Sequence, residues 1–175
     1  MGLGQCGRRR WGCVARDFPY LLRPVSIRKF QSDINEKAIA EVKAVYAELS
    51  QRSVERNCEL RTGCCQFKLT GKTPYLTKGE ALVAAKAVRA AGRKVLPERN
   101  DGACPLLHPR TSRCMIYQDR PFGCRTHFCE AAGGDYARKD VVDLIHRLEL
   151  VDDDLIGKGA QRLTIAVEEA LRDLV

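Results

Sequence analysis

The stretch SDINEKAIAEVKAVYAELSQRSVER, residues 32–56, decides the fold class of this chain. Its apolar side chains recur at intervals of three and four residues, which is the spacing of one face of a helix. The pattern therefore predicts an amphipathic helix, with Ser32 or Asp33 as its N-cap. The residues on its apolar face are Ile34, Ala38, Val42, Val45, Tyr46 and Leu49.

Three further segments have helical spacing. Thr77 and Glu80 have the separation of a capping box, which predicts a helix over about residues 77–91 that ends at Gly92. Two more helices are predicted towards the C-terminus, where acidic residues suit the positive end of a helix dipole. These are residues 137–150 (ARKDVVDLIHRLEL) and residues 152–175, the latter beginning with Asp152, Asp153 and Asp154.

Strand signals are weak. Residues 66–76 alternate briefly between apolar and polar side chains, and residues 114–117 predict one short strand at most. Neither run is long enough to build a sheet. The predicted fold class is therefore mainly α, with helices flanking an irregular cysteine-rich metal-binding loop region and at most short strands.

The chain has 175 residues, which is the usual size of one domain. We expect a basic, flexible N-terminal arm over residues 1–31, because these residues lack periodicity and are rich in Arg and Gly. A single helical domain is expected over residues 32–175, with a cysteine cluster at 58–129.

The location of the protein bears on the state of its thiols. No apolar run has the length of a membrane span, and the first thirty residues lack the apolar region of a secretory signal. We therefore expect a cytoplasmic protein that does not span a membrane. In that compartment thiols stay reduced unless a metal or a catalytic cycle holds them.

Nine cysteines are present, and seven of them lie within one segment that Gly and Pro interrupt repeatedly. A disulfide framework is disfavoured without a secretory signal, and no pair has the spacing of a CxxC redox motif. Thiolates favour zinc, iron, iron–sulfur clusters or Cu(I) over hard cations. The segment therefore predicts a metal site, and its candidate ligands are Cys58, Cys64, Cys65, Cys104, Cys114, Cys124 and Cys129. Cys6 and Cys13 lie apart from it in the arm.

The net charge of +8 is concentrated in the same segment. Residues 58–129 carry thirteen basic and five acidic side chains. Because each metal-binding thiolate carries one negative charge, this excess offsets the charge of a loaded site. Nucleic-acid binding through the basic arm is an alternative that the composition leaves open but does not favour.

The cysteine motif resembles a known family. Cys64-Cys65 is followed by CPLL at residues 104–107 and by RCMIYQDRPFGCR at residues 113–125. This combination resembles the YkgJ-type cysteine-cluster family, which is described as zinc- or iron-chelating. The resemblance covers about residues 58–129 and implies that their cysteines chelate one of these metals.

The opening motif departs from the family pattern. Laid on C-x-x-C-x-x-C-C, the chain has Arg61 where the second cysteine is expected, and an Arg side chain does not ligate a cation. Either one ligand position is lost or Cys129 replaces it. His127 and His108 are substitute candidates, because imidazole suits both zinc and iron.

Three arginines are predicted to act beside the metal. Arg120 and Arg125 flank Cys124, so either could hydrogen-bond a thiolate or a backbone carbonyl and hold the loop. Arg61 would place a fixed positive charge next to the thiolates and lower their pKa.

The leading hypothesis is therefore a cytoplasmic protein whose cysteine cluster chelates zinc or iron. The first alternative is an iron–sulfur or iron-dependent redox enzyme that uses the same cluster, and nucleic-acid binding is the second. No nucleotide-binding fingerprint or paired-carboxylate motif names a reaction, so catalytic activity stays open.

Overall fold

The computed structural model describes residues 27–52, 62–127, 129 and 132–174. In chain order its helices are α1 (Ile27–Gln51), α2 (Phe67–Thr70), α3 (Lys78–Ala90), α4 (Phe122–Thr126), α5 (Val142–Asp154) and α6 (Leu163–Asp173). The strands β1 (Tyr75–Leu76) and β2 (Gln161–Arg162) have two residues each. The prediction of a mainly α fold is confirmed. No helix in these ranges has both the length and the apolar character needed to cross a membrane.

The core lies where α1, α3, α5 and α6 pack together. The apolar face predicted for α1 is buried except at Ile34, which is partly buried, and Val42 and Val45 are fully enclosed. Helix α3 lies close to its neighbours at Gly79, where an added Cβ would stand 2.7 Å from Val151 and 3.0 Å from Val42. A glycine at this position therefore sets the distance of α3 from α1 and α5.

Helix α1 begins earlier than the sequence pattern predicts. It starts at Ile27, so Ser32 and Asp33 lie exposed inside the helix and cap nothing at its start. The residues from 27 to 31 contain no glycine or proline, so nothing in them stops the helix from extending. The boundary expected between arm and domain at residue 32 consequently falls within α1.

Both ends of α3 match the prediction. The Thr77 hydroxyl accepts a hydrogen bond from the Glu80 N–H, and the Glu80 carboxylate accepts one from the Thr77 N–H at 3.1 Å. At the other end Gly92 has φ +78°. Its N–H donates to Arg89 and the next N–H donates to Val88, which is the hydrogen-bond pattern of a Schellman motif.

The last helix begins later than predicted, and Asp152 belongs to the helix before it. The three aspartates belong to the end of α5, and α6 starts only at Leu163. Asp152 is buried, and its carboxylate accepts hydrogen bonds from the Lys78 N–H at 2.6 Å and the Gly159 N–H at 2.9 Å. The acidic side chain thus complements a helix N-terminus as expected, but that of α3 rather than of α6.

The two strands join distant parts of the chain. Tyr75 pairs with Arg162 and Leu76 with Gln161 in antiparallel register. Of the predicted alternating run 66–76, only the last two residues form a strand, since the run also contains α2. Of residues 114–117, only Cys114 pairs, in an isolated bridge with Leu107.

We expect Gly157→Ala to destabilise the fold. A Cβ at this position would overlap the carboxylate of Asp152, which caps α3 and has no room to move away while it keeps that role. Overpacking of this kind costs about 1–3 kcal/mol. Urea unfolding measures the change, with Lys158→Ala as the control because Lys158 is exposed in the same loop. Equal unfolding midpoints for the two variants would contradict the prediction.

Candidate metal centre

Five of the predicted cysteine ligands line a single cavity of about 430 Å³. They come from three separate parts of the chain, which the fold brings together, and they are Cys64, Cys65, Cys104, Cys114 and Cys124. The six cysteines among the described residues all carry free thiols. His127 lines the same cavity.

Cys64 and Cys65 lie side by side on a 3₁₀ turn over Gly63–Cys65. Their Sγ atoms are 4.0 Å apart, and Cys64 is the more exposed of the two. A hydrogen bond from the Cys65 thiol, with smaller help from His127 and Arg120, lowers the pKa of Cys64 to about 6. The same hydrogen bond, together with burial, raises the pKa of Cys65. This hydrogen bond thus favours the thiolate form of Cys64 and the protonated form of Cys65.

Cys104 is held against this turn by the backbone. Its N–H donates to the Cys65 carbonyl at 2.7 Å, and its side chain is only 5% exposed. Burial raises the pKa of Cys104 to about 12. The Cys104 thiol is therefore neutral at physiological pH unless a cation binds to it.

Cys114 lies at the end of a short hairpin. Its bridge with Leu107 is flanked by hydrogen bonds from the His108 N–H to the Arg113 carbonyl and from the Met115 N–H to the Leu106 carbonyl, both 2.8 Å long. This pairing returns the chain so that Cys104 and Cys114 face the same cavity. Burial raises the pKa of Cys114 as well.

Cys124 lies on the single turn of α4, which a buried carboxylate holds in place. Glu80 accepts a hydrogen bond from the Phe122 N–H at 2.8 Å and another from the Tyr46 hydroxyl at 3.2 Å. Burial raises the pKa of Glu80, and its hydrogen-bond donors oppose that rise. Burial also raises the pKa of Cys124. Glu80 thus ties the cysteine-bearing α4 to α1 and α3.

The guanidinium groups of the two arginines beside Cys124 donate hydrogen bonds to backbone carbonyls rather than to a cysteine sulfur. Arg120 lines the cavity, donates to the Tyr117 carbonyl at 3.3 Å and stacks over the Tyr117 ring at 4.1 Å. Arg125 lies outside the lining, where its guanidinium donates to the carbonyls of Arg120 and Gln118. It also stacks over Tyr46 at 4.2 Å. Of the two contacts predicted for these arginines, the structure contains the one with backbone carbonyls.

Several predicted residues are not brought to the cavity. Cys129 is exposed and does not line it. The His108 Nδ1 accepts hydrogen bonds from the N–H groups of Arg110 and Thr111, so its ring closes a local turn. Four predicted or considered residues lie outside the described ranges: Cys6, Cys13, Cys58 and Arg61.

The side chains that line the cavity suit a soft metal in kind, though they are not yet arranged around one. Thiolate sulfur and imidazole nitrogen are the donors that zinc and iron prefer. Within the described ranges, no three His, Cys, Asp or Glu side chains have converged on one point as a ligand set. Metal binding at this cavity requires the thiols to lose their protons.

Sequence reasoning missed the anchoring role of Glu80 and the cavity-lining positions of Lys72 and Arg113. The spacing of Thr77 and Glu80 predicts only a capping box, whereas the contact of Glu80 with Phe122 spans 42 residues of sequence. No local pattern reports such a contact. The basic excess of residues 58–129 was the available signal for the two cations, but it does not say which of thirteen side chains face the thiols.

Comparison with known proteins supports the chemistry of the cavity. A family model described as "CxxCxxCC: Putative zinc- or iron-chelating domain" matches residues 27–142, which is more than half of the chain. No curated protein and no solved structure matched. The match includes all five cysteines of the cavity as well as α1 and α3.

Proposed function

The chain belongs to the CxxCxxCC family of zinc- or iron-chelating domains, and from this premise we propose that its cavity thiols are the chelating groups. The observation that carries the proposal is the convergence of Cys64, Cys65, Cys104, Cys114 and Cys124 on one cavity. The proposed location is the cytoplasm, where free thiols persist.

The residues of the proposed site have different roles in metal binding. The exposed Cys64 is the proposed first contact for an incoming cation, and its pKa, lowered to about 6, favours the thiolate. The four other thiols are proposed to release their protons as they join the site. Arg120 holds the loop ahead of α4, and its positive charge offsets part of the negative charge of the thiolates. A bound zinc or iron ion would act as the cross-link between the three cysteine-bearing segments.

A second candidate function is an iron–sulfur or iron redox centre. The count of thiols favours it, because five sulfurs around one cavity exceed the four that one tetrahedral ion uses. The surplus thiol would then serve a polynuclear site or a second coordination state. Both candidates use the same residues and differ in the metal.

Anaerobic purification followed by elemental analysis and a visible spectrum tests the proposal. We expect at least about one zinc or iron ion per chain, because a cavity with five thiols has enough donors for a complete tetrahedral site. A colourless protein with zinc supports chelation, and iron with acid-labile sulfide and visible absorption supports the redox centre. A protein that binds neither metal under reducing conditions would contradict both.

A further inference from the structure

We propose that the cavity with the five thiols also binds a small organic anion, with its charged group at Lys72 and Arg113 and its apolar body against the cavity wall. The inference deepens the proposed function, on which it rests, by naming the class of ligand that lies beside the metal-binding thiols.

The size of the cavity is the first observation. Its volume of about 430 Å³ is far more than a metal ion needs once sulfurs surround it. Sites for small organic molecules occupy roughly 300–1,000 Å³. The space beside the thiols is therefore that of a compact organic ligand.

The wall of the cavity is the second observation. Away from the cysteines it is lined by apolar side chains, which are Phe67, Pro74, Leu106, Pro121 and Leu163. Leu106, Pro121 and Leu163 also belong to the buried core and are thus held in place. A wall of this kind binds an apolar ring or chain by removing its surface from water.

The charge of the lining is the third observation, and it decides the class of ligand. Lys72, Arg113 and Arg120 line the cavity, and no aspartate or glutamate of the described residues does. Arg120 is engaged by the Tyr117 carbonyl and ring, and its charge acts on the thiols. Among the described residues, neither the Lys72 ammonium nor the Arg113 guanidinium has a hydrogen bond or an ion pair.

Two arginines elsewhere in the fold are instead paired with carboxylates. Arg99 pairs with Asp101 at 2.5 Å, and Arg147 pairs with Glu41 at 2.6 Å. Two unpaired cations at an apolar cavity provide charge for a carboxylate or a phosphate, and Arg113 offers the planar fork that binds either group through two hydrogen bonds.

The competing explanation is that Lys72 and Arg113 only offset the thiolates. The two explanations predict different losses when these charges are removed. Charge compensation alone predicts a loss of metal, whereas an anion site predicts a loss of ligand binding at constant metal content.

The experiment uses the full chain, purified anaerobically, with its metal content measured. Benzoate and phenyl phosphate are the anionic probes and benzamide is the neutral one, and dissociation constants come from calorimetry or NMR titration. We expect both anions to bind, and benzamide to bind at least about tenfold more weakly, because hydrogen bonds to charged groups are the stronger ones. Equal affinity for benzoate and benzamide would overturn the proposal.

Variants then assign the binding to the two cations. The double substitution Lys72→Gln with Arg113→Gln should weaken benzoate binding by about tenfold or more. The matched control is Lys68→Gln with Arg110→Gln, which removes two exposed charges that lie outside the cavity lining. Unchanged benzoate affinity in the first double variant, or loss of metal without loss of benzoate, overturns the inference. If the parent binds benzoate selectively but holds no zinc or iron, the proposed function fails while the anion site stands.

Discussion

Cys124→Ser is expected to weaken metal binding by about 100-fold. A structural zinc site contributes roughly 10–16 kcal/mol through four ligands, so one ligand corresponds to about 3 kcal/mol. Serine keeps the approximate size of the side chain but replaces the soft sulfur with an oxygen that binds these metals poorly. The measurement is a competition titration of the purified variant against a chelator of known zinc affinity.

Cys129→Ser is the matched control for this substitution. Cys129 lies five residues further along the chain, is exposed and does not line the cavity. Its replacement should leave the metal affinity unchanged. Because Cys124 is partly buried, Cys124→Ala is made alongside, and circular dichroism establishes that each variant folds. A loss of affinity as large in Cys129→Ser as in Cys124→Ser would mean that the cavity is not the metal site.

Glu80→Ala is expected to lower the free energy of unfolding by about 3–5 kcal/mol, because buried donors left without an acceptor cost about 1–3 kcal/mol each. The substitution leaves the N–H groups of Phe122 and Thr77 without their acceptor and also removes the partner of the Tyr46 hydroxyl. Urea unfolding measures the loss. Metal affinity should fall with it, since α4 and Cys124 are held by the same carboxylate.

Two further variants identify the cause. Glu80→Gln keeps the volume and one acceptor oxygen, so it should cost less than Glu80→Ala. Glu98→Ala removes a glutamate that is exposed and should have little effect. An unfolding free energy for Glu80→Ala within experimental error of that for Glu98→Ala would show that the buried network does not hold α4.

The helices of this fold are largely readable from the sequence, because each depends on a periodicity within one segment. The buried face of α1 and the capping box of α3 are examples. The first and last residues of the helices are harder to predict, since they depend on contacts with other parts of the chain. Asp152 is a residue type typical of a helix start, but it lies at the end of α5. There its carboxylate accepts a hydrogen bond from the first N–H of α3.

In the candidate site, too, local features could be predicted from the sequence and features that depend on distant contacts could not. The type and spacing of the cysteines predicted soft-metal chemistry, and five of the seven proposed ligands line one cavity. The spacing could not distinguish Cys124 from Cys129, because the direction of a side chain after a one-turn helix depends on tertiary anchoring. The pairing of β1 with β2 could not be predicted either, since β2 lies more than eighty residues away in sequence.

The hydrogen bond between the Cys104 N–H and the Cys65 carbonyl has a consequence for the entropy of metal binding. It closes a chain loop of about forty residues that contains α2, β1 and α3, so the packing of the core also holds the two ends of that loop together. In small zinc fingers the metal alone must offset the entropy of closing such loops. Here apolar burial in the core offsets part of that entropy, which leaves more of the binding free energy to the metal–thiolate bonds themselves.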